Sequence, residues 1–180
     1  MPPNYARLRL RAQLFIRSAL IPVHILSATE EHAREAIEHI TTDDPSAKSL
    51  LKHHTLDLGS LNEIKALLPT LAALPRIDLL FLIAGVGVAP FGLTKDGLGN
   101  HFAVNHLAGM LLADGLMPKL METSKSKQSG DDAEKFSTRI VVESSELHRA
   151  SPSDVKCESV EEFNTDMDAT LLYGRSKLMG

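Results

Sequence analysis

Residues 77–87 read Ile-Asp-Leu-Leu-Phe-Leu-Ile-Ala-Gly-Val-Gly, an almost wholly apolar run that enters a turn rich in glycine. Residues 78–84 have the length of a strand, and a continuous apolar strand is typical of a parallel sheet covered on both faces. The wider apolar run, residues 79–91, is too short to cross a bilayer and contains Gly85, Gly87 and Pro90. The stretch therefore predicts a buried strand followed by a loop.

Strand-like and helix-like segments alternate on either side of this strand. Apolar runs predict strands at residues 23–27, 50–58 and 139–144, and helical spacing predicts helices at 30–40, 60–74, 98–121 and 171–179. Either Ser27 or Thr29 caps the first helix, Ser60 begins a capping box, and the third helix is expected to kink near Gly115 and Pro118. Turns or loops are expected at residues 41–46, 123–137 and 151–168. This alternation predicts a three-layer α/β sandwich with a parallel sheet.

Composition and charge narrow the class of protein. The 180 residues carry a net charge of −4 and a sequence pI of about 6.0, which argues against a nucleic-acid binder. The single cysteine, Cys157, excludes an internal disulfide, suits a reducing compartment and is interpreted as an ordinary thiol. The first acidic residue is Glu30, and it is preceded by four basic ones: Arg7, Arg9, Arg11 and Arg17. We expect a cytoplasmic protein with a solvated basic start, and a mitochondrial presequence is the alternative.

Tyr173 and Lys177 are the first pair of residues that could take part in catalysis. Four positions apart on a helix, a phenol and an ammonium share one face, and the cation favours the phenolate. Such a pair can serve as a general acid or base for a carbonyl/alcohol pair, although an ordinary surface pair has the same spacing. Ser144 and Ser145 end the strand at 139–144, where a hydroxyl can bind a substrate oxygen or simply cap the strand.

Four further residues are candidates: Asp57, Ala84 and Gly85 near the ends of predicted strands, and Asn105 in a predicted helix. Asp57 places a carboxylate at the end of the strand at 50–58. Ala84 ends the buried strand and Gly85 follows it, and Gly85 removes a side chain where a flat ligand could lie against the backbone. Asn105 is an amide in an otherwise apolar helix, so it needs hydrogen-bond partners.

A metal site is not predicted. His53 and His54 are neighbours in a predicted strand, and adjacent strand residues point to opposite faces. No other cluster of metal-ligating residues is evident in the sequence.

Taken in order, these motifs resemble the short-chain dehydrogenase/reductase family. They are Asp57 after a strand, Ala84-Gly85, Asn105, Ser144-Ser145 and the Tyr173/Lys177 pair. The stretches Phe-Ala-Val-Asn-His-Leu at 102–107 and Tyr-Gly-Arg-Ser-Lys-Leu at 173–178 resemble its retinol-dehydrogenase-like branch. The resemblance implies a partial Rossmann-like domain over residues 21–180 and leaves residues 1–20 as a divergent basic segment.

The resemblance also implies roles for particular residues. Tyr173 would exchange a proton with the reacting oxygen, Lys177 would assist it and bind the nicotinamide ribose, and Ser145 would polarise the carbonyl. The implied catalytic set comprises Asn105, Ser145, Tyr173 and Lys177. The implied cofactor-binding set comprises Asp57, Ala84, Gly85, Tyr173 and Lys177. Asn105 would hold its helix and a water-borne proton path, Asp57 would contact the adenine, and Ala84 and Gly85 would pass beside the cofactor.

The sequence departs from the family at three places. No glycine precedes Gly59, so the glycine-rich phosphate loop is missing, Ile83 stands where the family usually has asparagine, and the chain ends three residues after Lys177. These departures predict a fold truncated at both ends. They leave two functional hypotheses: an NAD(P)-dependent oxidoreductase that interconverts a carbonyl and an alcohol, or a catalytically inactive remnant or binding module.

The first hypothesis implies a nicotinamide cofactor and a small-molecule partner. Residues 27–29 read Ser-Ala-Thr and contain neither the acid that holds a ribose hydroxyl nor an arginine for a 2′-phosphate. The missing acid favours NADP, and NAD is the alternative. The expected partner is a small-molecule carbonyl or alcohol, with no nucleic acid and no transmembrane segment. A homodimer is expected from the resemblance, through the helices that carry Asn105 and Tyr173.

Overall fold

The computed structural model describes residues 22–126 and 138–179, which divide into two compact units between Asp57 and Leu58. Each unit contains a pair of parallel strands, together with helices. The predicted α/β class with parallel strands is therefore confirmed. The basic segment at residues 1–20 lies outside the described residues, and the single domain over residues 21–180 stays a prediction.

The first unit is built on strands β1 (Val23–Ser27) and β2 (Leu51–Thr55). They pair in parallel from Val23 opposite Leu51 to Ser27 opposite Thr55. Between them lie helix α1 (Glu30–Asp43) and a 3-10 helix (Pro45–Leu50). Ile25, Ile40 and Ala47 form the buried core of this unit, so α1 packs on the strand face that carries Ile25.

Helix α1 begins as predicted and ends later. The Thr29 hydroxyl accepts a hydrogen bond from the His32 N–H at 3.2 Å, so Thr29 rather than Ser27 is the N-cap. The predicted turn at residues 41–46 was wrong, because the helix continues to Asp43. The hydroxyls of Thr41 and Thr42 donate to carbonyls of the preceding turn while both residues keep the helical conformation.

The adjacent histidines of β2 face opposite sides of the strand pair, as predicted. The Nε2 atom of His53 lies 3.0 Å from the Ser27 hydroxyl, whereas Nε2 of His54 lies 2.8 Å from Nδ1 of His24. Within residues 22–126 and 138–179, no three histidine, cysteine, aspartate or glutamate side chains come together in a way that could hold a metal ion.

The described part of the second unit contains two strands, five α-helical segments, one π-helical segment and one 3-10 helix. In chain order they are α2 (Leu61–Ala72), β3 (Leu79–Leu82), α3 (Asn100–Phe102), a π-helical segment (Ala103–Leu107), α4 (Ala108–Ser126), β4 (Arg139–Val142), a 3-10 helix (Glu146–Ala150), α5 (Val160–Phe163) and α6 (Ala169–Leu178). Strands β3 and β4 pair in parallel from Leu79 opposite Arg139 to Leu82 opposite Val142. The Ser60 hydroxyl accepts from the Glu63 N–H at 3.3 Å, which confirms the predicted cap of α2.

The long helix predicted at residues 98–121 was expected to kink near Gly115 and Pro118, but its irregular part lies elsewhere. Helix α4 runs through Gly115 and Pro118 without interruption. A Cβ at Gly115 would lie 2.7 Å from the methyl carbons of Leu68, so this glycine lets α2 and α4 approach closely. The irregular part is instead the π-helical segment, which contains Asn105.

The predicted polar loops also contain helix. Residues 123–126 belong to α4, and the rest of the loop predicted at 123–137 lies outside the described residues. The loop predicted at 151–168 contains α5, which is capped by Ser159. Among the described residues, no helix combines the length and the apolar character that crossing a membrane requires.

Candidate active site

The turn that follows β3 is held by the side-chain amide of Asn105. Its Oδ1 atom accepts from the Val86 N–H at 2.6 Å, and its Nδ2 atom donates to the Val86 carbonyl at 2.9 Å. A Cβ at Gly85 would lie 2.9 Å from Oδ1 of Asn105. Gly85 therefore gives this amide room to reach the turn, a reason that the sequence did not reveal.

The same amide also reaches helix α6. Nδ2 of Asn105 donates to the Ser176 hydroxyl at 2.8 Å, and that hydroxyl donates to the Tyr173 carbonyl at 2.8 Å. Ser176 is only 2% exposed. The three contacts of Asn105 satisfy the predicted need for partners and join the Val86 turn to the helix of Tyr173. Ser176 was not predicted.

Asn105 lies where the long helix changes its hydrogen-bond pattern. The Ala108 N–H bonds to the Ala103 carbonyl, five residues back, instead of four. Such π-helical turns inside α-helices occur frequently at functional sites. Here the widened turn carries the side chain that connects the glycine turn with α6.

Tyr173 and Lys177 lie one turn apart on α6. The ammonium nitrogen of Lys177 is 5.9 Å from the centroid of the Tyr173 ring, at the outer limit of a cation–π contact. It donates a hydrogen bond to the Glu143 carbonyl at 2.8 Å, and the residue is buried. Burial lowers the pKa of Lys177, and the negative charge of Glu143 offsets part of that effect. The pair therefore combines a half-buried phenol with a buried, hydrogen-bonded cation.

The two serines after β4 make different contacts. The Ser144 hydroxyl donates to the Lys177 carbonyl at 3.4 Å. The Ser145 hydroxyl accepts from the Leu147 N–H at 3.2 Å and thereby caps the 3-10 helix. The capping role that the sequence left open is thus present at Ser145, beside any role with a substrate.

Gly174 brings that 3-10 helix against α6. A Cβ at Gly174 would lie 2.7 Å from the Leu147 carbonyl oxygen and 3.0 Å from the Ser151 nitrogen. Because only a bare backbone fits there, the element that begins at Ser145 packs directly on the helix of Tyr173. The second unit therefore brings together the elements that carry Asn105, Ser145, Tyr173 and Lys177.

The predicted cofactor residues divide between the two units. Ala84 is exposed and Gly85 half-buried in the turn after β3, within the second unit. Asp57 is half-buried and is the last residue of the first unit. It follows Leu56, whose N–H extends the β1–β2 pairing by bonding the Ser27 carbonyl at 2.9 Å.

Comparisons with known proteins were made against family models, curated proteins and solved structures. No family model matches the chain. It is 37% identical over 105 residues to a Neurospora crassa protein provisionally named the mitochondrial oxidoreductase bli-4, covering 58% of this chain and 24% of that protein. It is 33% identical over 126 residues to retinol dehydrogenase 14 of Mus musculus, covering 68% and 33%.

A solved structure extends the likeness over almost the whole chain. The short-chain dehydrogenase of Sphingobium yanoikuyae, in complex with NADPH, superposes with a TM-score of 0.61 at 17% identity, covering 93% of this chain and 55% of that one. The chain belongs to the short-chain dehydrogenase/reductase family. It spans less than half the length of the Neurospora oxidoreductase and of the mouse retinol dehydrogenase.

One family position is filled differently. Ile83, at the place where asparagine is usual, is buried at 7% exposure. An isoleucine there contributes to the core and offers no hydrogen bond to the turn. The turn receives its side-chain hydrogen bonds from Asn105 and His101 instead, since Nε2 of His101 lies 3.0 Å from the Gly87 carbonyl oxygen.

His101 predicts a pH dependence of stability. Burial lowers the pKa of His101 below 6.5, the Gly87 carbonyl raises it, and the charge of Arg175 lowers it. Below pH 6.5 the unfolded chain therefore takes up a proton that the folded chain resists, and the free energy of unfolding falls as the pH falls. The slope from this residue is at most about 1.4 kcal/mol per pH unit.

Urea unfolding between neutral pH and pH about 5 measures this dependence, since the charge of histidine changes in that range. His101→Gln keeps a donor for the Gly87 carbonyl and cannot take up the proton, so its stability is expected to change less with pH. His32→Gln, at an exposed histidine, is the control. Equal pH slopes for His101→Gln and the parent chain would contradict the assignment.

Proposed function

We propose that this chain carries the active site of an NAD(P)-dependent oxidoreductase that interconverts a carbonyl and an alcohol, with Tyr173 as general acid and base. The observation that carries the proposal is the pairing of Tyr173 with Lys177 on a helix tied through Ser176 and Asn105 to the Gly85–Val86 turn. This arrangement holds a phenol, a cation and a stretch of small-residue backbone within one unit of the fold.

Each residue of the set has a chemical role in the proposal. Tyr173 gives a proton to the carbonyl oxygen during reduction and removes it from the alcohol during oxidation. Lys177 stabilises the negative charge that the phenol oxygen carries after proton transfer. Ser145 donates its hydroxyl hydrogen to the substrate oxygen while its oxygen continues to cap the 3-10 helix. When bound, the nicotinamide group supplies or accepts the hydride.

The turn after β3 and the end of α6 have features suited to the nicotinamide and ribose of a dinucleotide, whereas the sequence lacks the glycine-rich loop for its phosphates. Ala84 is exposed, and the backbone of Gly85 and Val86 is fixed by Asn105, so a flat group can lie against that turn. The Lys177 ammonium has three donors for ribose hydroxyls and the Glu143 carbonyl. The resemblance implies that Asp57 contacts the adenine. Since residues 27–29 lack an acid, we assign NADP in preference to NAD.

A binding experiment tests the cofactor directly. The chain contains two tyrosines, Tyr5 and Tyr173, and no tryptophan, so in the Tyr5→Phe variant all tyrosine emission comes from Tyr173. NADPH is expected to quench this emission with saturation below millimolar concentrations. In the same background, Lys177→Met is expected to weaken binding about tenfold, the effect of about 1.4 kcal/mol. Lys125→Met, at an exposed lysine of α4, is the control.

Absence of saturable quenching at millimolar NADPH and NADH would contradict the proposal and favour the second candidate, an inactive remnant or binding module. That candidate is favoured by the burial of Ile83 and by the capping contact of Ser145. Saturable binding together with no turnover of any carbonyl would also favour it.

The proposed assembly is a homodimer formed through the long helix. Met110, Met117 and Met121 lie on one side of α4, at 51%, 40% and 52% exposure. Exposed methionines in such a row provide an adaptable apolar contact surface. The proposed location is the cytoplasm, with the mitochondrion as the alternative because the Neurospora relative carries that location in its name.

A further inference from the structure

Arg175 lies between Tyr173 and Lys177 in sequence and is almost fully buried, at 4% exposure. Its guanidinium donates to three backbone carbonyls of one short segment: those of Glu162, Phe163 at 3.1 Å and Thr165 at 3.4 Å. It also lies over the ring of Phe163, 5.6 Å from the centroid. Burial lowers the pKa of Arg175, because a charge is costly away from water. The hydrogen bonds to the three carbonyls and the contact with the Phe163 ring hold the cation in this buried place.

The segment that Arg175 grips, residues 162–165, is fixed on its other side to the start of the helix that leads to Asn105. The ring of Phe163 stacks on that of Phe102 with the centroids 4.2 Å apart. Asn164 accepts from the Gly99 N–H and donates to the Gly97 carbonyl, both at 2.7 Å. A Cβ at Gly99 would lie 2.5 Å from the Phe163 carbonyl oxygen, so the two backbones are in direct contact.

Helix α6 makes several contacts with the Asn105 region, and two of them involve neighbouring residues of the helix. The first is the hydrogen bond between Ser176 and Asn105, and the second is the path from Arg175 through residues 162–165 to residues 97–102. Neighbouring residues of an α-helix project about 100° apart around its axis. The contacts of Lys177 with the Glu143 carbonyl and of Gly174 with the 3-10 helix also hold α6, and Arg175 adds a restraint on the side of the helix that faces away from Lys177. Tyr173 and Lys177 project from the side opposite Arg175.

We propose that Arg175 is a positioning residue, which acts through residues 162–165 to set the roll of α6 and so the placement of Tyr173 and Lys177 relative to Asn105. The inference rests on the proposed function for its effect on turnover. The hydrogen bonds of Arg175 go to the carbonyls of residues 162–165 and to none of the proposed reacting groups.

The expected effects separate positioning from simple stabilisation. Arg175→Met keeps most of the apolar part of the side chain and removes the guanidinium that makes the hydrogen bonds. We therefore expect kcat for NADPH-dependent aldehyde reduction to fall about a hundredfold, while KM changes less than about threefold. Arg175→Lys is expected to recover only part of kcat, because an ammonium cannot reproduce the planar fork. Arg34→Met, at an arginine side chain 72% exposed, is the control and keeps the parent rate.

A double-mutant cycle identifies the path. Asn164→Ala removes the far contacts of the same segment, so it is expected to lower kcat in the same direction as Arg175→Met. The two effects should be strongly non-additive because they break one path. Additive losses of kcat, or losses that match the unfolded fraction measured in urea, would overturn the proposal. If Arg175→Met does not fold, Asn164→Ala and Arg175→Lys supply the comparison.

A second readout needs neither cofactor nor turnover. In the Tyr5→Phe background, acrylamide quenching of the remaining tyrosine emission measures the accessibility of Tyr173. Arg175→Met is expected to raise the quenching constant about twofold with the helical circular dichroism retained, as expected for a locally loosened helix. Unchanged accessibility would overturn the positioning role. If Arg175→Met raises the accessibility of Tyr173 but the parent chain shows no turnover, the proposed function alone is contradicted.

Discussion

Replacing Tyr173 with phenylalanine is expected to lower the rate of NADPH-dependent carbonyl reduction by about a hundredfold or more, the size of effect typical of a general acid or base. Phenylalanine keeps the ring, which lies 5.9 Å from the Lys177 ammonium, so packing and NADPH affinity should change little. Initial rates from NADPH absorbance, together with the affinity for NADPH, measure both quantities. Tyr5→Phe, which alters the other tyrosine, is the matched control.

A rate within about threefold of the parent rate in Tyr173→Phe would mean that another group transfers the proton, because such a change corresponds to well under 1 kcal/mol. A large loss of NADPH affinity in the same variant would instead place Tyr173 in cofactor binding. The two outcomes are distinguished by measuring kcat and binding on the same preparation.

The largest effect on stability is expected for Gly174→Ala. The new methyl group would lie 2.7 Å from the Leu147 carbonyl oxygen and 3.0 Å from the Ser151 nitrogen. Both are backbone atoms, so relief requires that α6 and the 3-10 helix separate. Overpacking of this kind costs about 1–3 kcal/mol. A lower urea midpoint with an unchanged m-value is the expected result.

Gly87→Ala is the control for that experiment, because a Cβ at Gly87 meets no atom within 4 Å. Its free energy of unfolding is expected to stay within about 0.5 kcal/mol of the parent value, as for an ordinary surface substitution. Equal urea midpoints for the Gly174 and Gly87 variants would show that α6 does not pack on the 3-10 helix as described.

Much of the local structure follows from the sequence, and the exceptions have local causes. The apolar run at 23–27, preceded by Pro22, defines β1 to the residue. Helix α1 was predicted too short because Thr41, Thr42 and Asp43 are polar, so the apolar spacing that indicates a helix ends at Ile40. The four residues of α5 are too few to show a helical period.

The sequence indicated candidate side chains more readily than the contacts between them. An amide within an apolar helix must find partners, and Asn105 finds them in Val86 and Ser176. Ser176 is 71 residues away in sequence, and nothing local indicates that its hydroxyl meets Asn105. Arg175 shows the same limit, since arginine is mostly exposed and only the tertiary packing buries this one.

The most direct test of the central claim follows a labelled hydride. NADPH deuterated at nicotinamide C4, on one face and then the other, is mixed with the chain and a panel of aldehydes that includes retinal, and the alcohols are analysed by mass spectrometry. We predict an alcohol with one deuterium at the former carbonyl carbon from one of the two labelled cofactors, and none from Tyr173→Phe. Saturable NADPH binding by the chain with no deuterium in any alcohol would contradict the account.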